Sequence, residues 1–150
     1  MNRKLFSSIF RREGWNVVEA TDGVEAVAIM EQLNFPVENQ TYTLPLPECK
    51  VDLIFMDVMM PNMDGITATY RIRDMEESYR LVHPHLRIPF LPISALTAAA
   101  MKDDKERCLE SGMNFYVTKP VERASLVKIA HQMKRMAETG PLTDSVSAHE

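Results

Sequence analysis

Short apolar runs alternate with longer helix-patterned segments along this chain, and that alternation limits its fold more than any other feature. The runs at residues 15–20 (WNVVEA), 51–56 (VDLIFM), 90–94 (FLPIS) and 115–118 (FYVT) are rich in side chains that suit a pleated strand. Helical spacing of apolar residues predicts helices over 2–12, 24–33, 66–81, 101–111 and 124–139, with Gly14 and Gly112 as stops. Leu5, Phe6 and Ile9 are expected on one inward face, Val24, Val27, Ala28 and Leu33 on a second, and Leu126, Ile129, Ala130 and Met133 on a third. Strand followed by helix, repeated, predicts an α/β fold: a parallel sheet covered by helices on both faces and joined by right-handed crossovers. Pro92 blurs the limits of its strand, because proline donates nothing to a ladder.

The 150 residues suit one domain. Residues 34–50 carry Pro36, Pro45 and Pro47 and no clear period, so they read as a surface insertion; a second lengthened stretch covers 76–88. No apolar run approaches the roughly 20 residues that cross a bilayer, and the amino terminus is too short in apolar residues for an export signal. A cytoplasmic protein is expected. The net charge of −4, with basic residues dispersed, argues against direct nucleic-acid binding. Cys49 and Cys108 show no metal-ligand spacing and read as free thiols in a reducing compartment. The eleven methionines suggest an adaptable core.

Ligands of open α/β sheets collect outside the carboxyl ends of the strands. Three polar groups fall there: Asp57 after the run 51–56, Thr97 shortly after 90–94, and Lys119 after 115–118. Together a carboxylate, a hydroxyl and an ammonium suit a small anion or a phosphoryl group. Each has a plainer reading. Asp57 would serve as a cap or turn former beside Pro61 and Gly65, Thr97 as the cap of the next helix, Lys119 as a solvated charge and Tyr116 as packing. His83 and His85 flank Pro84 without a carboxylate or thiol partner, and His131 reads as a surface or satisfied histidine on the last helix. Residues 57–64 lack the alternate oxygen ligands of a calcium loop.

The strings DLIFMDVMMPNMDG, ISALTA and FYVTKP, in that order, together with NVVEATDGVEAV and NRKL, resemble the receiver domains of two-component response regulators, especially those of hybrid histidine kinases. The likeness extends to about Thr139, giving a receiver domain over 1–139 and a flexible tail over 140–150. It implies a flavodoxin-like (CheY-like) doubly wound parallel sheet. Asp57 would accept a phosphoryl group from a histidine kinase or a histidine phosphotransfer protein, and an aspartate, ionised at neutral pH, needs no separate base. Lys119 would neutralise phosphoryl oxygens, and Thr97 and Tyr116 would form a switch passing the change to a downstream output protein. Pro120 would follow a cis peptide bond, and the small Ala98 and Ala99 would leave the pocket open. Mg²⁺ is the cofactor implied, with Asp57 and the Met59 backbone carbonyl among its ligands.

One departure stands out. Receivers open with an apolar strand ending in two acidic residues, and this chain starts where that strand should have ended. The expected sheet order is 2-1-3-4-5 with the first strand absent, so magnesium binding is expected to be weak. The chain then reads as a fragment of a longer protein, as one of a pair with a strand-donating or dimer partner, or as a closed-up sheet. Two functional classes compete with a phosphoacceptor. A degenerate pseudo-receiver would bind partners without phosphorylation. An aspartate phosphatase would need a second Asp two residues on, where Met59 stands.

Overall fold

The computed structural model describes residues 3–98 and 101–140; Ala99 and the tail from 141 onward lie outside the described residues. Helices α1 (Arg3–Arg12) and α2 (Gly23–Leu33) precede strand β1 (Ile54–Asp57). Then follow α3 (Gly65–Val82), β2 (Ile93–Thr97), α4 (Lys102–Ser111), β3 (Phe115–Thr118) and α5 (Arg123–Thr139). The strands form a parallel sheet in the order β1-β2-β3. Asp57 lies opposite Leu96 and Thr97 opposite Thr118, so the three strands end within one residue of a common level.

Alternation along the strands sorts side chains between two helical layers. Ile54, Met56, Ile93, Ala95 and Tyr116 point into a core with Met30 of α2, Ile66, Ala68 and Ile72 of α3 and Cys108 of α4. Phe55, Leu96, Phe115 and Val117 point the other way, where Phe6 and Phe10 of α1 and Leu126, Ile129, Ala130 and Met133 of α5 meet them. Phe10 stacks on Phe55 with ring centroids 5.1 Å apart, tying α1 to β1. Burying such a side chain stabilises by about 1.5–3 kcal/mol. The sheet is thus covered on both sides.

Four expectations need correction. Residues 15–20 form no strand, because a strand exists only as a ladder and, beyond the Trp15 amide that donates to the Phe10 carbonyl at 3.0 Å, no described backbone pairs with this segment or with the outer edge of β1. β1 begins at Ile54 and not at Val51, whose N–H and C=O are both taken by the Asn34 side chain, at 2.8 and 2.9 Å. β2 runs from Ile93 to Thr97: Pro92, lacking an N–H, stays just outside the ladder and offers only its carbonyl to the Ile54 amide at 3.0 Å. Leu5, Val24 and Ala28 are exposed; α1 buries Ser7 and Phe10, and α2 buries Gly23, Ile29 and Met30. The α5 face lies inward as its spacing predicts. No regular structure forms over residues 34–50, whereas much of 76–88 is the end of α3.

Candidate functional site

Asp57 is the last residue of β1, and the apolar Ile54, Phe55 and Met56 before it are what hold it at the rim. The loop leaving it is fixed at both ends. Val58 donates its amide to the Leu96 carbonyl at 3.0 Å, and Gly65 donates to the Val58 carbonyl at 3.0 Å. A Cβ at Gly65 would overlap the Asp57 carbonyl oxygen, so only glycine lets α3 start this close to β1. The N-cap of α3 is Asp64, whose carboxylate accepts the Thr67 amide at 2.7 Å. Asp57 is therefore not the cap.

Lys119 enters from the far side of the sheet. Its own strand, β3, is separated from β1 by β2, roughly 10 Å at about 4.8 Å per strand, and the long side chain spans that gap. Its Nζ donates to Asp57 Oδ2 at 2.8 Å. The lysine side chain is only 15 % exposed while Asp57 keeps 38 %, so the carboxylate remains open to a reagent from solvent. The Lys119 amide donates to the Thr97 carbonyl at 2.7 Å, which locks the ends of β2 and β3 together. The Lys119-Pro120 peptide bond is cis.

Thr97 ends β2 as a buried residue, and α4 is preceded by Met101 with no side-chain cap, so Thr97 is not a cap either. It lies two residues beyond Ala95, the register partner of Tyr116, on the face where the Tyr116 ring sits in the α2/α3/α4 core. Burial, first, raises the Tyr116 phenol above its ordinary range, with the nearby Cys108 and Asp104 adding to it. The strand ends thus carry the Asp57 and Lys119 pair, joined to Thr97 through the Lys119 amide.

The profile of the response regulator receiver domain matches residues 1–131. The chain belongs to that family. A probable histidine kinase 2 of rice (Oryza sativa subsp. indica) is 38% identical over 132 residues, 87% of this receiver and 11% of the kinase. Hybrid signal transduction histidine kinase I of Dictyostelium discoideum is 35% identical over 129 residues, 86% of this chain and 6% of the kinase. The receiver thus spans about a tenth or less of the curated relatives it matches. Among solved structures, the receiver domain of a sensor histidine kinase from Pseudomonas aeruginosa PAO1 is similar at 34% identity and a TM-score of 0.63. That likeness covers 89% of this chain and 88% of the other, which has a magnesium ion coordinated in its active site cleft. The CheY-like fold is therefore shown, with three parallel strands among the described residues.

Magnesium needs close to six hard oxygens in octahedral array. Here no three His, Cys, Asp or Glu residues cluster among the described residues, and Lys119 already occupies Oδ2 of Asp57. Asp57 and the Met59 carbonyl alone do not fit the ion. His83 packs its ring on Tyr79 at 4.3 Å, and the exposed His131 lies 6.3 Å from Trp15. No helix among the described residues is long and apolar enough to cross a membrane. Asn62 escapes notice in the sequence, yet it adopts a φ of +66° and donates to Asp22 at 2.7 Å; asparagine before an apolar residue and Asp-Gly is the only local hint.

Proposed function

We propose that this chain is a phosphoacceptor receiver of a two-component phosphorelay, a signalling module and not a turnover enzyme, with its domain running to residue 139. The observation that carries the reading is the 2.8 Å pair of Asp57 and Lys119 at a rim where the carboxylate stays open. A carboxylate oxygen of Asp57 attacks the phosphorus of a phosphohistidine. The P–N bond breaks, its electron pair stays on the imidazole nitrogen, and an acyl phosphate forms on Asp57. Lys119 neutralises oxygens of the transferred group, and the buried Thr97 and Tyr116 answer the new anion by changing the surface over β2 and α4. The histidine kinases among the relatives support a hybrid histidine kinase setting; the reading places the module in the cytoplasm, with a kinase or phosphotransfer protein as donor and an output protein as recipient.

Phosphoramidate, with and without added magnesium, tests this by intact mass. Wild-type protein is expected to gain one phosphoryl group, Asp57→Asn none, and Lys119→Met to gain it roughly a hundredfold more slowly. The poor fit of the site to magnesium favours a second reading, a pseudo-receiver that acts as a protein-interaction module. No incorporation into wild-type protein under any condition would select that reading.

A further inference from the structure

We propose that Asp22 and Asn62 are positioning residues for Asp57, clamping the loop that leaves the acceptor onto the start of α2. The two oxygens of Asp22 do separate work. Oδ1 accepts the Glu25 amide at 2.9 Å and caps α2, while Oδ2 accepts Asn62 Nδ2 at 2.7 Å. Beside this contact the Gly23 amide donates to the Met63 carbonyl at 3.1 Å, and a Cβ at Gly23 would overlap that same oxygen. Asn62 meets Asp22 from a left-handed backbone, φ +66°. The Glu25 amide, then Asn62, hold the Asp22 carboxyl below its ordinary range, as expected for a carboxylate accepting both bonds.

The clamp matters because of what the loop otherwise lacks. Its inner limb is tied to the sheet by Val58 and to α3 by Gly65, but Met59, Pro61 and Asn62 are exposed. The contacts of Asn62 and Met63 with the α2 start fix that outer limb, which begins two residues after the acceptor. A carboxylate misplaced by about 1 Å reacts up to a hundredfold more slowly, so a loosened loop lowers the phosphorylation rate while the folded core stays whole. This inference rests on the phosphoacceptor reading for its kinetic part only.

Three variants separate clamp from cap. Asp22→Ser keeps a capping oxygen but is too short to reach Asn62; Asn62→Gly keeps the left-handed backbone without the side chain; Asp22→Asn keeps both bonds once the Asn62 amide turns. Phosphoramidate labelling of Asp57 is expected to slow by roughly three- to tenfold in the first two, by no more in their combination, and to stay near wild type in Asp22→Asn. Hydrogen exchange of the Gly23 amide is expected to quicken in Asp22→Ser and Asn62→Gly, with the Glu25 amide unchanged in Asn62→Gly. Unchanged exchange at Gly23 in both variants overturns the clamp. Faster exchange with an unaltered labelling rate overturns the positioning role. A wild-type protein that takes no label defeats the phosphoacceptor reading instead, and exchange still decides the clamp.

Discussion

Single residues here differ in chemistry because of where the fold puts them. Cys108 is fully buried, and burial, first, raises its thiol above the ordinary range, with the Asp104 charge adding to it. Cys49 is exposed in the 34–50 insertion. A thiol-specific colorimetric reagent at neutral pH is expected to titrate one cysteine in the native protein and both after denaturation. A Cys49→Ser variant should then show no rapid reaction, and two fast thiols in the native state would contradict the buried placement. Cys108 and Tyr116 both hold their protons more tightly folded than unfolded, so the unfolded chain loses protons first as pH rises. Stability is expected to fall as pH passes upward through the ordinary thiol and phenol values, measurable as a declining urea midpoint in alkaline buffer.

At the scale of elements, one guanidinium holds the end of the sheet opposite Asp57. Arg73 of α3 donates through Nε and Nη2 to the Gly112 carbonyl at 3.0 and 2.8 Å and to Asn114 Oδ1 at 2.9 Å. It also pairs with the nearly buried Glu76 at 3.2 Å and lies over the Phe90 ring. Asn114 Oδ1 in turn accepts the Ile93 amide at 3.0 Å, so α3, the α4 end and the start of β2 converge on one side chain. Arg73→Met leaves the nearly buried Glu76 with Arg80 alone, 3.7 Å away, and strips the Gly112 carbonyl of its side-chain donors, a loss of about 2 kcal/mol. Urea denaturation checks it, and a change below about 0.5 kcal/mol would mean the contacts are replaceable. None of this was visible in the sequence, where Arg73 is one cation in a charged helical stretch. The α5 face, by contrast, was legible residue by residue, because its neighbours demand only a stripe of apolar side chains.

For the whole molecule, the consequential feature is the outer edge of β1. No described backbone group pairs with it, and the 15–20 run that was expected to join the sheet makes no ladder. An uncovered strand edge flanked by apolar side chains such as Leu53 and Phe55 is a template for another strand. Sedimentation velocity over a concentration series is expected to show this 150-residue chain associating with itself. A sedimentation coefficient that stays monomeric throughout would mean the edge is covered.

Local patterning settled the α/β class, the parallel sheet, and the placing of Asp57, Thr97 and Lys119 at strand ends, because each depends on short-range periodicity and on where an apolar run stops. Tertiary structure alone decided the pairings. Asp57 meets Lys119, Asn34 captures Val51, and Asn62 reaches Asp22. The partners in each pair stand far apart in the chain or on different strands, and only the folded sheet brings them within reach. Whether residues 15–20 formed a strand was likewise beyond local propensity, since a strand is a property of two segments and its would-be partner is not among the described residues.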